Sequence, residues 1–215
     1  MQKGFTLLEL MVTLVVVAVI LGFGLPGFQQ LVQNNRMTSA ANDLLAALNV
    51  ARSEAVKRAT PVSVCASNNP TAPLPACSGV PGMNGWVVFV DNADTDGNGV
   101  PDGNIIIEPG ETILQTHPAL DPTLTANSNG AYASFAATGF TRNVLAAGTP
   151  LGTALFCDVR GNITIGTDQL GNVLSAARVV IVAPTGRGQV LRTTTDVTNA
   201  LAAGPPQTLI PGSCP

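Results

Sequence analysis

Charged side chains make up only 11% of these 215 residues, there is a single histidine, and none of the four cysteines forms a Cys-x-x-Cys pair. The histidine and cysteine counts weigh against zinc, which is held by four closely spaced thiolate or imidazole ligands. No serine or cysteine motif sets a nucleophile beside His117, which precedes Pro118 at an expected strand end, so no enzyme activity is expected. Glu108 and Glu111 straddle a Pro109-Gly110 turn and are expected to face water. A formal net charge of -3 argues against a broad nucleic-acid surface, and loss of Lys3 would make the balance more negative. There is no internal repeat and no shift in composition that would mark a second domain. With 22 glycines and 16 prolines, the bulk of the chain is expected to be rich in turns.

The N-terminus is where signal is dense. After Glu9 the chain runs without charge from Leu10 to Phe28, which at about 1.5 Å per helical residue is close to the minimum that spans a hydrocarbon core. A secretory signal would carry an Ala-x-Ala-like site after the apolar run. None follows here; Lys3 and Gly4 precede the run instead. Glu9, five residues into the expected helix, is costly in lipid unless something pairs with it. The short Lys3-bearing end points to a cytoplasmic N-terminus, with the remainder of the protein in the periplasm or beyond.

Gly4 followed by Phe5-Thr6-Leu7-Leu8-Glu9 resembles the class III signal of type IV pilins and type II secretion pseudopilins. That resemblance implies cleavage between Gly4 and Phe5 by a prepilin peptidase, methylation of the Phe5 amine, and an assembly role for Glu9, whose carboxylate neutralises the N-terminal amine of a neighbouring subunit. Pro26 matches the family's helix-kinking proline. The implied partners are the peptidase, other pilins or pseudopilins, and an inner-membrane assembly platform.

Beyond the anchor, Leu31, Met37, Ala41, Leu44, Leu45, Leu48, Ala51, Ala55 and Val56 recur at helical spacing up to about Arg58, and Ala59-Thr60-Pro61 ends the pattern. Short strands are expected at Val62–Ala66, Gly85–Val90, Asn104–Ile107, Thr112–His117, Tyr132–Ala136, Ala154–Asp158, Ile163–Ile165, Arg178–Val182 and Gln189–Arg192. Arg160-Gly161-Asn162 is expected to turn a hairpin. The fold class is therefore α+β, with antiparallel sheets packed on an amphipathic helix. The expected divisions are a leader at 1–4, an anchor helix at 5–28, its amphipathic continuation at 29–58, and a β-rich head at 59–215. The order of the helix, Pro61-Val62, Cys65, Gly85-Trp86-Val87-Val88-Phe89-Val90-Asp91 and the late Pro184-Thr185-Gly186-Arg187 resembles the GspH/FimT family of minor pilins and pseudopilins. This implies a pilin-like fold, a β-sandwich-like head, and a place near the tip of a type IV pilus or secretion pseudopilus. An anchored adhesin or DNA-uptake receptor is the alternative.

Three side-chain groups could bind or brace. Counting from Asp94, Asp96 and Asn98 follow at alternate positions, Gly99 allows a sharp turn and Asp102 stands ninth, with Asp91 just before, as calcium favours, although the twelfth position is Ile105. An Asx-rich loop serves the same pattern. Arg187 and Arg192 are possible DNA contacts: some FimT-type relatives use Gly-Arg-x-Arg, but Gln189 stands at the second arginine, and a turn feeding the last strand accounts for the glycines equally. For the cysteines, an oxidising compartment implies disulfides. Of three possible connectivities, Cys65 with Cys77 and Cys157 with Cys214 is favoured, the first closing a short Pro-rich loop and the second tying the C-terminus to a strand.

Overall fold

The structure, a computed structural model, describes residues 4–78, 83–94, 103–144 and 147–202. It divides into two compact units, Met1–Arg36 and Met37–Pro215. The first helix, α1, runs over Leu7–Arg58. Thr6 caps it, its Oγ1 accepting the Glu9 N–H at 3.2 Å. Glu9 is thus the third helical residue, in a Thr-x-x-Glu capping sequence at the positive end of the helix dipole. The helix therefore starts two residues later than the expected division at residue 5, and Glu9 is its third residue rather than its fifth. Within the first unit, every residue from Gly4 to Gly22 is exposed, and the helix is long and apolar enough to cross a membrane. The expected kink at Pro26 lies outside the described side chains.

In the second unit α1 buries a stripe formed by Met37, Ala40, Ala41, Leu44, Ala47, Leu48, Ala51 and Ala55. Half of the expected pattern's larger members fall away: Leu31 and Val56 are exposed and Leu45 is half-buried. Alanines replace them because they let the sheets approach the helix axis. The helix ends where Ala59 turns to a positive φ of 53°, ahead of Pro61.

The strands follow in order: β1 (Val62–Ser67), β2 (Gly85–Val90), β3 (Ile113–His117), β4 (Thr125–Ser128), β5 (Tyr132–Phe135), β6 (Thr141–Arg142), β7 (Thr153–Cys157), β8 (Thr164–Thr167), β9 (Val173–Val182) and β10 (Gly188–Thr193). A short helix, α2 (Thr194–Ala202), completes the described chain. They form two antiparallel sheets, ordered β3-β2-β1-β5-β6 and β10-β9-β7-β4, with β8 also on β9. The main core lies between the α1 stripe and the inner faces of both sheets, around Val62, Val64, Trp86, Val88, Phe135, Phe156 and Val180.

Both outer faces are covered as well. Val197 of α2 packs with Leu155, Cys157, Ala177 and Val179 on one sheet. On the other, Ile105 and Ile107 pack against Cys65, Val87, Phe89 and Tyr132. Alternate residues of β1 and β2 are therefore all buried, which accounts for the unbroken apolar run Trp86-Val87-Val88-Phe89-Val90. The same packing corrects the strand expected at Asn104–Ile107. Ile105 takes a positive φ of 66° and the segment is a plug rather than a ladder. The turn at Arg160-Gly161-Asn162 forms, with Gly161 at φ 65°, but it does not join a hairpin: β7 and β8 each pair with β9 instead of with one another.

Candidate functional site

The residues of the predicted cleavage site precede α1 and are accessible. Phe5 is 81% exposed, and a Cβ built on Gly4 meets nothing within 4 Å. Glu9 is exposed too, so its carboxylate is free to face a partner while its backbone N–H is held by Thr6.

The acidic segment is only partly brought together. Asp91, 1% exposed, follows β2; its Oδ2 accepts the Ser63 hydroxyl at 2.7 Å and the Ile105 N–H at 3.2 Å. Burial pushes its carboxyl above the usual range despite those bonds. Asp94 is exposed and has a bonding partner of its own. Asp96, Asn98 and Asp102 lie outside the described residues. Glu108 and Glu111, expected to face water, are half-buried beside Asp91. Glu111 accepts the N–H groups of Asn92 at 2.8 Å, Ala93 at 3.0 Å and Glu108 at 3.1 Å, so it pins both ends of the acidic loop. Burial, together with the charges of Asp91 and Glu108, pushes its carboxyl up to about 6. Among the described residues no three carboxylate, histidine or cysteine groups are placed to hold a metal.

The late arginines separate. Arg187 is exposed in the β9–β10 turn and Arg192 is exposed on β10, about 16 Å further along at strand rise. Gly186 in that turn has a structural task. Its φ is +78°, and a Cβ there would strike the Gly139 carbonyl. That carbonyl also accepts Arg52 Nε at 3.0 Å, while Thr141 N–H and Oγ1 bond the Pro184 carbonyl at 3.1 and 3.0 Å. The glycine-containing turn thus joins the two sheets and α1. Arg192 instead keeps electrostatic company with Asp168 and Arg178. Arg178, 6% exposed, was not signalled by its apolar surroundings in the sequence. Its Nη1 donates to the carbonyls of Ser175, Ala176 and Ala177 at 2.8, 3.1 and 2.9 Å, filling the irregular stretch of β9.

Cys65 and Cys77 form a disulfide, as expected. Cys157 is also disulfide-bonded, and its expected partner Cys214 lies outside the described residues. His117 stacks on Trp86 with centroids 3.8 Å apart, its Nδ1 is 2.7 Å from the Pro118 carbonyl, and its Nε2 is 3.7 Å from Asp43 Oδ2. These contacts brace β3 against β2 and α1.

Residues 40–186 match the model of the type II transport protein GspH family, and residues 1–25 match the prokaryotic N-terminal methylation motif. No curated protein matches the sequence. Among solved structures, the type IV minor pilin FimU of Pseudomonas aeruginosa is similar in two crystal forms. In one the identity is 21%, with 84% of this chain and 96% of that chain covered at a TM-score of 0.45. In the other the identity is 22%, with coverages of 83% and 99% and a TM-score of 0.41.

Proposed function

The chain belongs to the GspH family of minor pilins and pseudopilins, and we propose on that footing that it is built into, or near the tip of, a type IV pilus or type II secretion pseudopilus. The observation that carries this reading is the N-terminal methylation motif, with its Gly4-Phe5 bond exposed and Glu9 in the first helical turn.

The steps follow from the helix. The apolar part of α1 inserts into the inner membrane with its N-terminus in the cytoplasm and the head in the periplasm, where the Cys65–Cys77 disulfide suits the redox environment. Prepilin peptidase cuts after Gly4 and methylates the Phe5 amine. The cut leaves Thr6 in place, so the cap survives processing. It also creates a cation at the positive end of a helix dipole, which is unfavourable until an anion approaches. Glu9 of a neighbouring subunit supplies that anion as the helices leave lipid for the filament core, and desolvation makes the pairing sensitive to geometry.

The test is Glu9→Val alongside Glu9→Ala, followed through membrane fractionation and recovery in sheared filaments. Both variants are expected to insert normally and to be missing from filaments. Normal incorporation of either would refute the mechanism.

A further inference from the structure

A disulfide can be what closes a loop, or it can lock a loop that other bonds have already closed. The loop that leaves β1 between Cys65 and Cys77 is of the second kind. Ser67, 1% exposed at the end of β1, donates its hydroxyl to the Ala76 carbonyl at 2.7 Å. The Asn69 Oδ1 accepts the Ala76 N–H at 3.0 Å, and the Ser67 Oγ in turn accepts the Asn69 N–H at 3.2 Å. Two side chains thus grip both backbone groups of the residue before Cys77, as a neighbouring strand would. On the other side of Cys77, the Ser78 N–H bonds the carbonyl of Ala66, next to Cys65, at 2.7 Å.

The chain between has little freedom. The Asn69 carbonyl accepts the Ala72 N–H at 3.0 Å, making a tight turn. Pro70 and Pro75 are buried, and Pro70 lies over Gly85 of β2, where a Cβ would stand 2.8 Å from its Cγ. Prolines restrict the unfolded chain in advance, so closing the loop removes fewer conformations.

We infer that Ser67 and Asn69 form a clasp that holds Cys77 against Cys65 while both are thiols, so that the loop directs which two cysteines pair. Cys65 is 1% exposed and Cys77 half-buried, so Cys77 is the sulfur that a small disulfide donor reaches. Its thiolate attacks the donor, releasing one donor thiolate and leaving a mixed disulfide on Cys77. The Cys65 thiolate, already in place, attacks the Cys77 sulfur and releases the second donor thiolate. Two electrons pass to the donor, and its two thiolates take up the protons that the cysteines gave up. The clasp keeps the loop shut in the reduced head, and loss of the covalent bond is felt in the unfolded chain, which regains its entropy. The inference stands on the head alone and is independent of filament assembly.

The test is the redox equilibrium of the full chain in detergent against mixtures of reduced and oxidised glutathione, with Cys65 and Cys77 trapped and read by peptide mass spectrometry. Ser67→Ala removes the grip on the Ala76 carbonyl, and Asn69→Ala removes the grip on its N–H. Each is expected to lower the effective concentration of one thiol at the other about tenfold, which moves the half-point to a potential about 30 mV less negative. Asn69→Asp, which keeps an acceptor oxygen, and Asn68→Ala, an exposed neighbour outside the clasp, are expected to keep the wild-type half-point. A role confined to packing would lower the thermal midpoint of the oxidised and reduced forms alike and leave the half-point where it was. Asn69 is exposed, so its variants report even if Ser67→Ala fails to fold. An unchanged half-point in Asn69→Ala, a shift to a more negative potential, or an equal shift in Asn68→Ala would overturn the inference.

Discussion

The carboxyl of Glu111 makes the stability of the head depend on pH in an unusual direction. Its value is raised from 4.5 to about 6, by burial first and by the nearby charges of Asp91 and Glu108 after it. In the unfolded chain the group titrates at its ordinary value, so between about 4.5 and 6 the folded protein holds more protons. Stability must therefore fall as pH rises through that window, and the penalty is complete above it. A displacement of this size amounts to about 2 kcal/mol when fully shielded from water. Glu111 is only half-buried, so screening reduces the figure to about 1 kcal/mol. Asp91, also raised by burial, acts in the same direction. Glu54 and Asp168 are held below their ordinary values by Arg58 and Asn172; their contributions are lost only as pH falls below 4.5 and 3.8, outside the window. The assay is thermal unfolding of the full chain in detergent at pH 7 and pH 5, for wild type and Glu111→Gln. At pH 5, inside the window, somewhat over half of that penalty is relieved, which corresponds to a midpoint roughly 1 to 2 °C higher at the lower pH in wild type. Glutamine keeps an oxygen for the Asn92 and Ala93 N–H groups, so the variant is judged by its pH slope rather than its absolute midpoint. A wild type that loses stability on going from pH 7 to 5, or a variant that keeps the rise, would refute the reasoning.

Two further outcomes are expected. Replacing both Cys65 and Cys77 by serine opens a loop whose ends are 12 residues apart, and chain entropy sets the loss at about 3 kcal/mol, measurable by denaturant unfolding of the two forms. The calcium reading of Asp94, Asp96, Asn98 and Asp102 predicts heat on titrating calcium into the full chain and its loss in Asp94→Ala/Asp96→Ala; a wild type that gives no heat removes that reading.

Much of the fold was legible where one physical signal dominates. The uncharged run and its Glu9, the helix end at Ala59-Thr60-Pro61, and the strands β1 and β2 each follow from length, backbone restriction or β-branched composition. Legibility failed where local chemistry and burial diverge. Ala40 and Ala47 are core residues because small side chains admit a close sheet, a demand that lies outside the helix itself. Ile105-Ile106-Ile107 looks like a strand, yet its apolar surface covers a sheet instead of joining it. The four-residue β4, Thr125-Ala-Asn-Ser128, is too polar and short to announce itself, and its place is set by Leu155 and its neighbours on β7. Of the candidate site, the cleavage motif was plain in the residues. The Glu108/Glu111 contribution was not, because a Pro-Gly turn ordinarily marks exposed chain.

The carbonyl of Gly139 has a bearing on how variants of this protein should be interpreted. Arg52 from the helix and the backbone of Gly186 from the second sheet converge on it from different parts of the head. Such a junction behaves like the pin of a hinge: enlarging Gly186 or shortening Arg52 alters the registration of three elements at once. A substitution in the Gly186-Arg187 turn that weakens any binding activity therefore reports on architecture before it reports on a ligand. Arg187→Ala, which leaves the pin in place, is the informative change there, and Gly186→Ala is its structural control.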